Sequence, residues 1–140
     1  MRGFIVRRKS ENNASLSPAE FDLMRALWEL GGPSSATQIH RVLNRYRPCT
    51  KPMVYILADK LASKGFVSIE QVDEPVTYKQ ITALVAENDY AISETSGLVD
   101  RLFSGSWKRL VLNIAETDNL SREDIAELED ILRSKKRSEK

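Results

Sequence analysis

The sequence predicts a mainly α-helical protein with one small β-hairpin. Three segments with apolar residues at helical spacing lie between residues 16 and 65, two alternating β-branched segments follow at 66–81, and helical spacing resumes from residue 83. Three helices followed by a hairpin is the element order of a winged helix-turn-helix. We therefore expect a flexible basic arm at 1–15, a winged-helix domain at 16–82, a three-helix region at 83–134 and a charged tail at 135–140.

Composition restricts the class of protein. The 140 residues are 41% hydrophobic and 29% charged, which is typical of a globular chain, and no apolar run approaches the length of a membrane span or a secretory signal. The single cysteine, Cys49, excludes an internal disulfide, and with the single histidine, His40, it provides no cluster of metal ligands. A glycine-rich phosphate loop is also absent. We expect a soluble cytoplasmic protein that is not an enzyme and needs no metal or other cofactor.

The charged residues are unevenly distributed along the chain. Residues 41–64 contain six basic side chains and one acidic side chain, a net charge of +5, whereas residues 83–133 contain 11 acidic and five basic side chains, a net charge of −6. A basic segment within a helix-turn-helix suits the phosphates of double-stranded DNA, and the acidic segment suits a different partner. A basic face that contacts only solvent is the alternative interpretation of residues 41–64.

The first helix is expected from Pro18 to about Leu30. Ser17 can cap it, proline fits its first position, and Glu20 lies three residues after the cap, as a capping box requires. The sequence Gly-Gly-Pro at 31–33 then ends the helix.

The second helix is expected to begin after Ser34 or Ser35. It is expected to end at Arg47-Pro48, because proline disfavours a helical conformation in the residue before it. The segment at 33–36 can also pair briefly as a short strand. The apolar stripe of this helix consists of Ile39, Val42, Leu43 and Tyr46.

The third helix, at 50–64, is the expected recognition helix, with Thr50 as its cap. Its apolar residues at helical spacing are Val54, Leu57 and Leu61. Lys60 and Lys64 lie four residues apart, a spacing that suits two successive phosphates. For Tyr55, packing onto the hairpin is an alternative to DNA contact. The residues expected to contact DNA are Arg41, Arg45, Thr50, Lys51, Met53, Tyr55, Ile56, Lys60, Lys64 and Lys79.

The hairpin, or wing, is expected from strands at 66–72 and 76–81. Both segments are rich in β-branched residues that alternate with polar ones, and Asp73-Glu74-Pro75 joins them. The wing is expected to contact DNA beside the recognition helix.

Three amphipathic helices are expected after the wing. The stripe of the fourth extends to Phe103, Gly105 interrupts the pattern, the fifth covers 107–115, and the sixth begins at Leu120-Ser121. Without a sheet these helices cannot bury their stripes alone, so a two-fold partner that donates the same helices is expected. The expected homodimer interface consists of Leu98, Leu102, Phe103, Trp107, Leu110, Val111, Ile114, Ile125, Leu128 and Leu132.

Two tryptophans, one histidine and one cysteine are interpreted as structural or surface residues rather than as functional sites. Trp28 and Trp107 are expected in a core. His40 is expected at the surface or beside a phosphate rather than at a metal. Cys49 is interpreted as structural, with an oxidation switch that disturbs DNA docking as the less favoured alternative.

Three segments of the sequence resemble the penicillinase-repressor family (BlaI/MecI/CopY). They are SPAEFDLMRALWELGG, LADKLASKGFVSIE and VDRLFSGSWKRLVLNIAETDNLSREDIAELEDIL, and the resemblance extends from Leu16 to Leu132. It implies a transcriptional repressor that binds a palindromic DNA operator as a homodimer, with one winged helix of each protomer in a major groove. The implied contacts come from the helix at 50–64 and the wing at 66–82.

The resemblance also implies a means of inactivation. In some members of the family, a membrane sensor that detects β-lactams triggers proteolysis of the repressor in the dimerisation region. The segment at 110–114 resembles the one that is cut, which implies cleavage between Asn113 and Ile114 and a membrane sensor-protease as partner. Ile114 departs from the phenylalanine that the family usually has there. Copper-responsive members have a Cys-x-Cys tail, and the absence of cysteine after Cys49 excludes that mode of sensing.

The recognition helix departs most from the family pattern. Where the family commonly has lysine, threonine and long polar residues, this sequence has Pro52, Met53, Tyr55 and Ile56. Met53 and Ile56 offer only apolar contact, for instance to a thymine methyl group. Either a different operator is recognised through Lys51, Tyr55 and DNA shape, or phosphate contacts dominate and sequence specificity is weak. The alternative function is a winged-helix protein-interaction module, with Met53, Tyr55 and Ile56 as an apolar docking patch.

Overall fold

The computed structural model describes residues 15–138, which form two compact units. The first unit ends at Glu94 and the second begins at Thr95. The helices are α1 (Pro18–Leu30), α2 (Ala36–Leu43), α3 (Lys51–Ser63), α4 (Glu87–Phe103), α5 (Trp107–Ala115) and α6 (Arg122–Ser138), and the strands are β1 (Ser34–Ser35), β2 (Val67–Val72) and β3 (Tyr78–Ala83). The expected mainly α-helical class with a small hairpin is confirmed. Of the expected basic arm, residues 1–14 lie outside the described residues.

Local capping defines α1 as the sequence predicts. Ser17 Oγ accepts a hydrogen bond from the Glu20 N–H at 3.2 Å, and the Glu20 carboxylate accepts one from the Ser17 N–H at 2.8 Å. Gly31 then adopts a φ of 82°, a left-handed conformation that favours glycine, and its N–H donates to the Leu27 carbonyl. Both predicted ends of this helix are confirmed.

The second helix is shorter than the sequence predicts. Ser35 caps α2, and the glutamine three residues later completes a second capping box. The helix ends at Leu43 because the N–H groups of Arg45 and Tyr46 bond to carbonyls three residues back, which tightens the chain into a turn. The predicted end at Arg47 is therefore wrong, and Tyr46 lies beyond the helix rather than on its stripe.

The three strands form one antiparallel sheet in the order β1-β3-β2. The short strand expected between the first two helices is present and pairs with β3. The predicted hairpin is confirmed with shifted ends, because its second strand begins at Tyr78 instead of Val76 and continues to Ala83, the partner of Val67. Val76 is 65% exposed in the loop between the strands.

The core of the first unit lies between α1, α2, α3 and the sheet. Its fully buried side chains include Leu23, Met24, Leu27, Ile39, Leu43, Val54, Leu61, Phe66 and Ile81. Tyr90, in the first turn of α4, joins this core through ring contacts with Phe21, Trp28 and Phe66 at centroid distances of 5.9, 6.1 and 5.8 Å. The first turn of α4 therefore packs with the winged helix, beyond the boundary at residue 82 that the end of the wing suggested.

The second unit contains the rest of α4 together with α5 and α6. Gly105 adopts a φ of 82° between α4 and α5, where the sequence predicts an interruption. Ser106 caps α5, and Ser121 forms a capping box with Asp124 at the start of α6. The predicted fifth helix is confirmed, and the sixth continues to Ser138, so most of the expected charged tail is helical.

Large apolar side chains of the second unit are exposed in the single protomer. Those between 39% and 62% exposed are Leu102, Trp107, Val111, Leu112, Ile114, Ile125, Leu128, Ile131 and Leu132. The expectation that Trp107 lies in a core is therefore wrong for the protomer. Within residues 15–138, no helix combines the length and the apolar character that crossing a membrane requires.

Candidate nucleic-acid interface

The core fixes which face of α3 points outward. The buried residues of this helix are Val54, Leu57, Ala58 and Leu61. On the opposite side, Met53 and Tyr55 are each 38% exposed and Ile56 is 55% exposed. Lys51 and Lys60 are exposed near the two ends of the same helix. We call these five residues the outer face of α3, which combines an apolar centre with flanking cations.

Thr50 caps the N-terminus of α3, as the sequence predicts. Its Oγ1 accepts a hydrogen bond from the Met53 N–H at 3.4 Å. Pro52 occupies an early helical position, where a missing N–H leaves no helical hydrogen bond unmade. Thr50 is exposed, and its hydroxyl oxygen serves the helix as a cap.

The carboxylate of Glu29 ties the turn before α3 to α1. Arg45 donates a hydrogen bond to one oxygen of Glu29, and Tyr46 Oη donates to the other at 2.6 Å. The Arg25 guanidinium lies 4.1 Å from the centre of the Tyr46 ring, a cation–π contact. The hydrogen bonds from Tyr46 and Arg45 hold the pKa of Glu29 below its ordinary value. Arg45, which the sequence assigns to DNA, thus has an ion-pair partner within its own domain.

A second set of contacts closes the same turn. Arg47 Nε donates to the Asp22 carboxylate on α1 at 2.9 Å. His40 Nε2 lies 2.8 Å from the Cys49 carbonyl oxygen, and Asn44 Oδ1 accepts a hydrogen bond from the Cys49 N–H at 3.1 Å. Burial raises the pKa of the Cys49 thiol, which disfavours the reactive thiolate. These contacts support the structural interpretation of Cys49 and give His40 a role in the turn.

Lys64 joins the end of α3 to the start of α1. Its Nζ donates to Glu20 Oε1 at 2.7 Å and to the Ser15 carbonyl at 3.1 Å. The Glu20 side chain is only 4% exposed. Burial alone would raise the pKa of Glu20, but the hydrogen bonds from Lys64 and Ser17 and the charge of Lys64 hold it below its ordinary value. Lys64 is thus engaged within the domain, whereas Lys60, expected to act beside it on DNA, is exposed.

The wing places one cation next to α3. Lys79 on β3 is exposed, and its Nζ lies 6.0 Å from the centre of the Tyr55 ring. Tyr55 therefore adjoins the wing, the arrangement that the sequence leaves open as an alternative. The tip of the wing carries the exposed carboxylates of Asp73 and Glu74, and Gln71 Nε2 donates to Asp73 at 3.0 Å. The wing thus has one cation beside α3 and an acidic tip.

Four of the cations expected to contact DNA remain outside such ion pairs. Arg41, Lys51 and Lys60 are exposed and form no ion pair with another residue between 15 and 138. Together with Lys79, they give the helix-turn-helix and wing a set of side chains that can approach phosphates.

Sequence reasoning missed the acidic residues that orient this surface. Glu29 lies 16 residues before Arg45, and Asp22 lies 25 residues before Arg47, so no helical or strand spacing relates the pairs. The acidic wing tip is visible in the sequence as Asp73-Glu74, within the segment that joins the two strands.

The expected dimer residues fall into two groups in the protomer. Leu98, Phe103 and Leu110 are half-buried. The exposed ones are Leu102, Trp107, Val111, Ile114, Ile125, Leu128 and Leu132. Asn113 and Ile114 lie in the last turn of α5, where the Ile114 carbonyl accepts a hydrogen bond from the Thr117 hydroxyl at 2.8 Å. The bond expected to be cleaved is therefore exposed but helical.

The first unit also has a cleft of about 580 Å³ near the end of α1. It is lined by Leu27, Trp28, Gly31, Gly32 and residues 82–87, and Glu87 is its one titratable side chain. Trp28 Nε1 donates to the Val85 carbonyl at 2.8 Å. This lining provides no pair of acid and base for catalysis. Within residues 15–138, no three His, Cys, Asp or Glu side chains are grouped to hold a metal ion.

Sequence comparisons with known proteins agree on one family. The sequence profile of the family described as Penicillinase repressor matches residues 16–134. The methicillin resistance regulatory protein MecI of Mammaliicoccus sciuri is 28% identical over 120 residues, covering 86% of this chain and 94% of that protein. The penicillinase repressors of Staphylococcus aureus and Bacillus licheniformis are 28% and 25% identical, covering 88% and 89% of this chain and 94% of each relative. Among solved structures, a MarR family protein from Bacillus stearothermophilus aligns at 20% identity with a TM-score of 0.44, covering 94% of this chain and 82% of that chain.

Proposed function

The chain belongs to the penicillinase repressor family, and from this premise we propose that it is a homodimeric transcriptional repressor that binds a palindromic operator in double-stranded DNA. The named members of the family are repressors and not enzymes, in agreement with the expectation from composition. The observation that carries the proposal is the outer face of α3, which is exposed, flanked by cations and held by a core that the helix itself helps to form.

In the proposed complex, α3 of each protomer enters a major groove. Its early residues face the base edges, as they do in helix-turn-helix proteins generally. Lys51, Lys60 and Arg41 neutralise phosphates beside the groove, and Lys79 does so from the wing. Arg45 and Lys64 act inside the domain, because each is already paired with a carboxylate on α1.

The second unit is the proposed dimerisation region. Seven of its expected interface residues are exposed in the protomer, and a group of large exposed apolar side chains favours burial against a partner. A two-fold partner that offers the same helices would bury these side chains against their own counterparts. The spacing of the two winged helices would then set the spacing of the operator half-sites.

Inactivation is proposed to follow cleavage between Asn113 and Ile114 by a membrane sensor-protease that responds to β-lactams. The resemblance of residues 110–114 to the segment cut in family members supports this site, and so does the exposure of both residues. Because the bond lies within α5, the protease would need to unwind the last turn of that helix before cutting. The cut would separate α6 from the rest of the proposed interface.

Nuclease protection on the DNA flanking the gene tests the DNA-binding proposal. The full chain should protect a two-fold symmetric site, and the logarithm of its affinity should fall with the logarithm of salt concentration. Four phosphate contacts per protomer give a slope of about −7 for the dimer. Replacing Lys51 and Lys60 by alanine should reduce the slope to about −4. Lys108→Ala, an exposed change in the second unit, is the matched control and should leave the slope unchanged.

The second candidate function is a winged-helix module that docks a protein. The exposure of Met53, Tyr55 and Ile56 favours it, because three adjacent apolar side chains can form a docking patch. The same protection experiment separates the two candidates. Absence of protection at every salt concentration would contradict the repressor and support the protein-docking module.

A further inference from the structure

We infer that this protein recognises thymine 5-methyl groups in the major groove of its operator, through Met53 and Ile56. The inference rests on the proposed function, since it requires α3 to enter duplex DNA. It goes further by naming the feature of the DNA that gives sequence specificity.

Met53 and Ile56 form one row on the outer face of α3. They lie three residues apart, and Lys60 follows four residues later, so the three side chains share a face of the helix. Met53 is 38% exposed and Ile56 is 55% exposed, whereas the adjacent Val54 is fully buried. The row is in the first two turns of α3, the part of a recognition helix that contacts bases.

Lys51 and Tyr55 keep hydrogen-bonding groups on the outer face, but the other polar groups near this row are engaged, absent or further along the helix. The Thr50 hydroxyl oxygen caps the helix by accepting the Met53 N–H, and Pro52 has no N–H. Further along, Ser63 Oγ donates to the Lys60 carbonyl at 3.2 Å. Asp59 is exposed, but it lies more than two turns into the helix, past the early residues that contact bases.

Thymine is the base that offers an apolar group to such a row. Its C5-methyl lies on the major-groove edge, whereas the other base edges there present only hydrogen-bond donors and acceptors. The cations around the row favour a phosphate-lined partner, because Arg41, Lys51 and Lys60 are exposed and form no ion pair with another residue between 15 and 138. Duplex DNA with thymine beside Met53 and Ile56 offers methyl groups to the apolar centre of the outer face and phosphates to the cations around it.

The test begins with selection of bound duplexes from a random-sequence pool by the full-length protein. Each thymine of the recovered half-site is then replaced in turn by deoxyuridine, which keeps base pairing and removes only the methyl group. At one or more thymines in each half-site, this change should weaken binding by about fourfold, the effect of one buried methyl group.

Two variants assign that effect to side chains. In Met53→Ala or Ile56→Ala, one thymine position should lose its sensitivity to deoxyuridine, because the methyl group has lost its contact. Both residues are exposed, so these changes spare the core, and thermal unfolding checks this. Lys60→Ala is the matched control on the same helix, and it should weaken the thymine and deoxyuridine duplexes by the same factor.

The outcomes separate this inference from the proposed function. If duplexes are selected but deoxyuridine never changes affinity, or if the sensitivity persists in both alanine variants, methyl recognition by these residues is overturned and the repressor proposal stands. If no duplex is enriched even at low salt, both proposals fall, and the row on α3 is left as a protein-docking patch.

Discussion

The two units of the molecule differ in how they bury apolar side chains. The first unit encloses its large residues, such as Leu43 and Phe66, in a core formed by its own helices and sheet. In the second unit, Val99 is the one large apolar side chain that is fully buried among the described residues, and many others are about half exposed. The comparison indicates that the first unit has a core of its own, whereas the second leaves most of its large apolar side chains exposed in the single protomer.

The cations of the first unit fall into two groups, those paired with carboxylates and those left exposed. Arg45, Arg47 and Lys64 are paired with carboxylates on α1, and these pairs position α3 and the turn before it. Lys51 and Lys60 are left exposed on α3 itself. Net charge alone does not reveal this division, because both groups contribute equally to the basic segment.

The largest expected effect contrasts the two kinds of apolar residue. Leu43→Ala removes a fully buried side chain of the first unit and should lower the free energy of unfolding by about 3 kcal/mol. Leu132→Ala, at a residue that is 62% exposed, should change it by less than about 0.5 kcal/mol in dilute monomeric protein. Urea unfolding of both variants measures these changes, and equal losses of unfolding free energy would contradict the expected difference.

The next effect tests whether the exposed apolar surface forms the dimer. Val111→Glu places a charge on α5 at a side chain that is 56% exposed, where a two-fold partner would bury it. The dimer dissociation constant should rise by about 100-fold, measured by sedimentation equilibrium. Glu123→Gln, an exposed change on α6, is the control. If the dimer is unaffected by Val111→Glu, the interface lies elsewhere.

A smaller effect tests the tie between α1 and α3. Glu20→Gln should lower the free energy of unfolding by about 2 kcal/mol near neutral pH, because Lys64 loses its buried charged partner. The pKa of Glu20 is held below its ordinary value of 4.5, so its contribution is present above that pH and is lost as the pH falls through the lower folded-state pKa. Wild type and variant should therefore converge in acid. A difference that stays constant down to about pH 2 would contradict the ion pair.

The smallest expected effect concerns the wing. Replacing Asp73 and Glu74 by Asn and Gln removes negative charge from the wing tip and should raise affinity for DNA by about two- to fivefold at low salt, with less gain at high salt. Fluorescence anisotropy with labelled duplex measures the change. Glu127→Gln on α6 is the control, because it also removes a negative charge but at an exposed residue that is not part of the wing. An unchanged affinity would indicate that the wing tip lies away from the phosphates.

Much of the fold follows from local signals in the sequence. Ser17 with Glu20, and Gly31 at the other end, define α1 through neighbouring residues alone, so the sequence was sufficient to predict both ends. The end of α2 does not follow from local signals in the same way, because Tyr46 continues the apolar spacing up to Arg47-Pro48, yet it lies beyond the helix and its hydroxyl donates to Glu29 on α1. Such a contact depends on the packing of α1 against the turn, which no local pattern contains.

The candidate site was only partly predictable for the same reason. The apolar character of Met53 and Ile56 and the positions of the lysines follow from the sequence and helical spacing. The sequence could not distinguish Lys64 from Lys60, because its partner Glu20 lies 44 residues away. Nor could it reveal that Trp107 is exposed in the protomer, since burial there depends on a second chain in the proposed dimer.

The central claim is that two chains associate through the second unit and present two copies of α3 to one operator. Native mass spectrometry of the full chain mixed with a duplex recovered by selection tests it most directly. We expect a complex of two chains per duplex, which Val111→Glu converts to free DNA and monomer at the same concentrations. A stable complex of one chain per duplex, unchanged by Val111→Glu, would contradict the claim.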